Sequence, residues 1–300
     1  MSNNSSKSNS NSYKTFANIS LEFRPAKGRK TPACWLALPP KICADAVPLI
    51  AVHGINRNAR DQAEQYAKRA LEQGRPVIAP LFDKDNWRHY QQVVRKNRPD
   101  VALLALLDEL RLAGIWQTRT FELAGYSGGA QFAHRFAMLY PHLISRLSVA
   151  SAGWYTFPDN MVFPRGLGLR SGRSDGWGPH MEASLDQFLK LPIQVYVGSK
   201  DNIRDPNTRS GANIDQHQGT NRLTRATRWV TALKLAAEER NIKENINLKL
   251  LLDCRHDFID CVKKGGLDAL VIPDMEISSA SEYQSRETKS IPAKTAMGTT

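Results

Sequence analysis

Gly125-Tyr126-Ser127-Gly128-Gly129 stands between an apolar run, Thr120 to Gly125, and a segment of helical period, Gly129 to Leu139. A serine on so tight a turn between strand and helix takes a strained backbone conformation and lifts its hydroxyl clear of the sheet. Side chains at Gly125 and Gly129 would collide with neighbouring backbone there, so glycine is a steric requirement. The turn also sets Ser127 against the first, unpaired N–H groups of a helix, which favour developing negative charge. This is the local chemistry of an activated nucleophile.

A serine hydroxyl is weakly nucleophilic at neutral pH and needs a base within hydrogen-bond reach, itself oriented by a third group. After such an elbow the acid follows in the chain and then the histidine. The strand PIQVYVG runs into Ser199-Lys200-Asp201, and INLKLLLDC into Arg255-His256-Asp257, so Asp201 and His256 both fall just beyond strand ends. Asp205 is close enough to exchange roles with Asp201, and Asp175 is a third candidate acid. For His256 the competing role is structural, bonded to Asp253 or Asp257. The remaining histidines precede Ser127, lie on its helix, or occupy loops without this strand context.

Acyl transfer also needs donors aimed at a tetrahedral oxyanion. The N–H of Gly128, next after the nucleophile, is one candidate, and the strand VPLIAVHGIN ends in a loop that offers the N–H of Ile55. His53 in that loop reads as a structural hydrogen-bonding residue.

These sites need a scaffold of strand ends. Ile19 to Arg24 and Ala33 to Leu38 read as an opening hairpin around Gly28. Strands then follow at Val47 to Val52, Pro76 to Phe82, Thr120 to Gly125, Ile144 to Ala150, Ile193 to Val197 and Ile246 to Leu252. Helical spacing fills the intervals at Arg60 to Gln73, Pro99 to Ala113, Gly129 to Leu139 and Arg222 to Arg240. Alternating strands and helices imply right-handed crossovers and a mostly parallel sheet with its ligand site at the carboxyl ends of the strands.

Residues 153–186 interrupt the rhythm with Trp154, Tyr155, Phe157, Phe163 and Trp177 among glycines and prolines, a composition suited to a lid or binding loop. Trp154, Tyr155 and Phe157 are the candidates for an apolar substrate pocket, with packing of the loop onto the domain as the equal alternative. Arg165, Arg170 and Arg173 in the same stretch could attract an anionic substrate.

VHGINRNARDQ, GYSGGAQFAHRF, ASAGWYTFPD, GSKD, QGTNRLTRA and RHDF together resemble the α/β-hydrolase superfamily, and within it serine esterases similar to poly(3-hydroxybutyrate) depolymerases and feruloyl esterases. The resemblance spans Ile19 to Ile272. It implies an α/β-hydrolase fold, helices on both faces of the sheet, and a carboxylic ester hydrolase working through an acyl-enzyme with no metal or organic cofactor. No second, substrate-binding module is visible, which points to a small or oligomeric ester rather than an insoluble polymer. An amidase or peptidase with the same machinery is a further reading.

The chain of 300 residues, 41% hydrophobic and 23% charged, has the composition of a globular protein able to bury a sizeable core. Residues 1–18 form a Ser/Asn-rich tail and 273–300 a second tail, both too polar to offset the entropy of ordering, which leaves 19–272 as one domain. The N-terminus lacks the apolar core of a secretory signal, and no apolar run reaches the roughly 20 residues of a membrane span, so a cytoplasmic location is expected. Four cysteines outside any CxxC pattern suggest reduced thiols, with a Cys254 to Cys261 bridge as the alternative.

The formal charge of +12 raises polyanions as partners. The basic residues are scattered, part of the excess lying at Lys7, Lys14, Arg24, Lys27, Arg29 and Lys30, so a solvated surface is favoured over a nucleic-acid site. A non-catalytic scaffold holding polyanions on that surface is the rival to catalysis. Nothing in the sequence fixes an oligomeric state.

Overall fold

A computed structural model describes residues 20–169 and 176–274. Arg170, Arg173, Asp175 and nearly all of both expected tails lie outside the described residues. Eight strands form one sheet in the order β1-β2-β4-β3-β5-β6-β7-β8. They are β1 (Leu21–Arg24), β2 (Ala33–Ala37), β3 (Leu49–Val52), β4 (Val77–Leu81), β5 (Phe121–Tyr126), β6 (Ile144–Ala150), β7 (Pro192–Gly198) and β8 (Asn245–Leu251). β1 pairs antiparallel with β2 and β2 with β4, while every pairing from β4 through β3 to β8 is parallel. The parallel strands therefore all end on one edge, where the loops after β3, β5, β7 and β8 converge.

Strands β2 to β7 are largely buried on both faces, which is why the parallel ones among them read as nearly continuous apolar runs, while the edge strands β1 and β8 are largely exposed. Side-chain alternation divides them: Ile50 and Val52 enter one core and Leu49 and Ala51 the other. Helices α2 (Pro99–Leu112), α3 (Gly128–Leu139), α4 (Trp177–Ala183), α5 (Leu185–Leu189) and α7 (Arg222–Glu239) contribute to the larger core. Helices α1 (Ala59–Glu72), α8 (Phe258–Lys263) and α9 (Leu267–Val271) contribute to the opposite one, and α6 (Ala212–Gln218) precedes α7. No described helix is long and apolar enough to cross a membrane. All four cysteines are free thiols.

Helix α3 runs through the centre of the larger core, with all twelve residues buried, including His134 and Arg135. Its histidine spends both ring nitrogens on backbone: Nδ1–H donates to Ala130 O at 2.8 Å, and Nε2 accepts from Thr156 N at 3.0 Å. His53 does the same between strands, donating from Nδ1 to Gly54 O at 2.8 Å and accepting from Phe82 N at 3.0 Å. Complete burial pushes the His53 imidazole down to about 4. It is a neutral clip that fixes the end of β3 against the end of β4.

The aromatic loop departs from the expectation of a lid. Tyr155 is fully buried and stacks on Trp229 of α7 at 4.6 Å, and Phe157 packs against His217 at 4.6 Å. Both rings stand inside the domain because the loop is drawn down by Trp229 Nε1, which donates to Thr156 O at 2.8 Å. Trp154 borders an open cavity. Residues 177–189 fold into α4 and α5.

Candidate active site

Ser127 sits at φ 55° and ψ −112°, a conformation costly for any residue with a Cβ. The close approach of α3 to the sheet imposes it. A Cβ on Gly129 would stand 2.0 Å from Val52 O, and one on Gly125 would stand 2.3 Å from Gly129 O. The elbow is also fastened across the sheet, since Ser127 N donates to Ala150 O at 2.8 Å and Ser151 N to Tyr196 O at 2.8 Å. The ladder continues from Ser199 N to Leu251 O and from Lys200 N to Cys254 O. The loops after β5, β7 and β8 are thus held to one another by backbone.

That framework brings Ser127, His256 and Asp201 together. His256 Nε2 lies 3.0 Å from Ser127 Oγ, and its Nδ1 lies 2.9 Å from Asp201 Oδ2. Asp201 is almost completely buried, Ser127 is buried, and the imidazole is partly open to solvent. Tyr126 stacks on the imidazole at 5.3 Å with 23° between the planes, fixing the face of the ring. Asp205 takes a different place: no bond joins it to His256 among the described residues.

Arg222, the first residue of α7, links the two aspartates. Its Nη1 donates to Asp201 Oδ1 at 3.2 Å and to Asp205 Oδ2 at 2.6 Å, and its Nη2 donates to Asp205 Oδ1 at 3.1 Å. Partial burial pushes the Asp205 carboxyl up, but the bonds and charge of Arg222 outweigh this and hold it down at about 2. Asn221 caps the helix by accepting from Thr224 N at 2.9 Å, so the guanidinium starts from a fixed turn.

Gly128 and the N–H of Ile55 lie close together beside Ser127. A Cβ on Gly128 would come within 3.2 Å of Ile55 N, and neither N–H has a partner among the described residues. Tyr90 supports this corner, its hydroxyl donating to His53 O at 2.5 Å and lying 2.9 Å from that same Cβ position. A cavity of about 310 Å³ opens over Ser127 and His256, bounded by Gly54, Ile55, Asn207 and Phe258, with Asp61 and Asp257 on its rim.

No family model matches the chain. Among solved structures, poly(aspartic acid) hydrolase-1 from Sphingomonas sp. KT-1 superposes with a TM-score of 0.68 at 24% identity, covering 80% of this chain and 95% of its own. A poly(3-hydroxybutyrate) depolymerase from Bordetella parapertussis gives 0.66 at 22% identity, covering 80% and 85%. The fold is that of the α/β-hydrolases. A fluorophosphonate-binding serine hydrolase of Staphylococcus aureus shares the α/β-hydrolase fold more distantly, with a TM-score of 0.55 at 11% identity, covering 85% and 98%. Uncharacterized proteins of Mycobacterium tuberculosis and Mycobacterium bovis are 32% identical over 124 residues, or 41% of this chain, and the match spans only 34% of their length.

Several contributors to this site carried no readable signal in the sequence. Arg222 lies within QGTNRLTRA, where an arginine opening a helix looks solvated. Tyr126 fills the variable position of the serine motif. Tyr90 belongs to a stretch without periodicity. The cap residues Asn221 and Thr224 are the one clue that Arg222 occupies a fixed first turn.

Proposed function

We propose that the chain is a serine hydrolase that cleaves a carboxylic ester of a small or oligomeric substrate through an acyl-enzyme on Ser127. The observation that carries this reading is the unbroken hydrogen-bonded run from Ser127 through His256 to Asp201, on an elbow whose neighbouring N–H groups are unspent. The Ser127 hydroxyl passes its proton to His256 Nε2 as Oγ bonds to the ester carbon. The carbonyl oxygen, now an anion, accepts from the N–H groups of Gly128 and Ile55. Collapse breaks the bond to the alcohol oxygen, which takes the proton from Nε2 and departs. Water then gives a proton to Nε2 as its oxygen bonds to the acyl carbon, and collapse breaks the bond from that carbon to Ser127 Oγ, which takes the proton back from Nε2 as the acid leaves. Asp201 accepts from Nδ1–H throughout and stabilises the imidazolium.

Likeness to a depolymerase and to serine hydrolases supports the reaction class. Likeness to a poly(aspartic acid) hydrolase makes a matched amide the comparison of choice against the ester. A fluorophosphonate probe is expected to label Ser127, and Ser127→Ala to abolish labelling and lower turnover of a 4-nitrophenyl ester by about 10⁴-fold or more. Full labelling and turnover in that variant would remove Ser127 from the reaction.

A further inference from the structure

Several arginines of this chain have a carboxylate at hand, as Arg222 and Arg225 do. Arg95, Arg165 and Arg209 have none among the described residues, yet from distant positions in the chain they gather around one cavity of about 620 Å³, together with Gln92, Trp154 and Pro164. Behind Trp154 stands Arg135, fully buried, its guanidinium 4.1 Å from the centre of the indole. It donates to Thr156 Oγ1, Gln91 O and Gln131 O, all neutral oxygens, and its Nη2 has no partner among the described residues. Burial, reinforced by the charge of Arg209, pushes the guanidinium down to about 9. A buried cation without a counter-charge is costly unless something else supplies one.

Three short chain segments carry residues of both this cavity and the candidate catalytic centre. Tyr90, whose hydroxyl lies beside Gly128, is followed by Gln92 and Arg95. Gln131, one turn after Ser127, places its Nε2 2.9 Å from where a Cβ on Gly153 would stand, next to Trp154. Asn207 borders the Ser127 cavity, and Arg209 lines the second.

We propose that this arginine-lined cavity is a subsite for a carboxylate-bearing part of the ester substrate. The proposal rests on the serine hydrolase reading and names the substrate class for it. Arg95 and Arg209 are exposed and each has a neighbour: Arg95 Nε donates to Gln92 Oε1 at 2.5 Å, and the Arg209 guanidinium lies 5.4 Å over the Trp154 ring while Arg225 Nη2 donates to the Arg209 carbonyl at 2.7 Å. Guanidinium forks match a carboxylate in pairs of parallel hydrogen bonds. The serine cavity itself is lined by Asp61 and Asp257, which disfavours an anion beside them.

Two matched ester pairs test this. One carries the charge on the acyl side, the 4-nitrophenyl monoester of glutaric acid against 4-nitrophenyl pentanoate, and the other on the alcohol side, 4-carboxyphenyl butyrate against 4-carbamoylphenyl butyrate. In at least one pair the carboxylate is expected to raise kcat/KM about tenfold at low salt, with the advantage shrinking in 0.5 M salt, taken as about a 4 Å screening length. Arg95→Gln with Arg209→Gln is expected to bring the ratio near one, and Arg209→Lys to retain part of it. Melting curves check the fold, and the single variant of exposed Arg95 supplies the same ratio should the double variant be unfolded. No preference in either pair, a preference that survives the double variant, or an equal fall for charged and neutral esters overturns the subsite while leaving the hydrolase reading intact. If no ester is turned over and the fluorophosphonate leaves Ser127 unlabelled, the hydrolase reading falls and the subsite with it.

Discussion

Both oxygens of Asp201 are committed, and to donors of different kind. Oδ2 faces the Nδ1–H of His256 at 2.9 Å and Oδ1 faces Arg222 at 3.2 Å. Asp201→Asn leaves one oxygen for two donors. Arg222 is buried, always cationic and a donor only, so the amide oxygen must turn to it and the amide NH₂ to the imidazole. Nδ1 then becomes an acceptor and the ring proton moves to Nε2, where it opposes the Ser127 hydroxyl instead of receiving its proton. The wrong tautomer costs on the order of 10⁴ in turnover in a comparable triad, or about 5.5 kcal/mol. Asp205→Asn touches Arg222 and the turn at Asn207 and Thr208 but not His256, and is expected to lose less than about tenfold. Stopped assays of a 4-nitrophenyl ester at pH 8 give both numbers. Adding Arg222→Met to Asp201→Asn frees the amide oxygen to face the imidazole and is expected to recover about tenfold or more. An Asp201→Asn enzyme within tenfold of the parent, or Asp205→Asn as the more damaging change, refutes this account of the acid.

Two further predictions concern the scaffold. Gly129→Ala drives a methyl against the carbonyls of Val52 and His53 at 2.0 and 2.6 Å, both rigid backbone, and is expected to cost about 3 kcal/mol or more, lowering the melting temperature by at least about 6 °C. His53, neutral in the fold down to about pH 4, titrates near 6.5 once unfolded, so the unfolded chain binds the extra proton between those values. Stability from this group is complete above pH 6.5 and falls as pH drops towards 4, by about 3 kcal/mol. Urea midpoints at pH 7.5, 6, 5 and 4 measure it, and an acid slope unchanged by His53→Gln would exclude this residue as its source.

The sheet was readable because its central parallel strands are largely buried on both faces and announce themselves as apolar runs, and the exposed edge strand β8 by its alternation: β6 matches the expected span, and β3, β5, β7 and β8 lie within two residues of it. Serine, acid and histidine were legible for the same reason, since a strand end is a place in three dimensions as well as in sequence. Asp201 was favoured over Asp205 by its place at the strand end alone, because four residues of loop reach either way and what occupies Asp205 is Arg222, which arrives from another helix. The helices α4, α5, α6, α8 and α9 are five to seven residues long, too short for a period to show. Charge misled in a different way. Arginines 95, 165 and 209 look dispersed along the chain and meet only when the loops after β4, β6 and β7 are folded over one another.

Strand β6 supplies no side chain to the hydrogen-bonded run, yet it sets the gap that the run must bridge. Two inter-strand spacings, roughly 10 Å, separate the strand bearing the serine from the one bearing the acid, and the Ala150 and Tyr196 carbonyls stitch that interval. A kink or slipped register in this spacer would pull alcohol and imidazole apart while leaving every reacting group untouched. Engineers who search only the cavity walls for mutations that alter turnover would therefore overlook a strand that acts on the chemistry as a ruler.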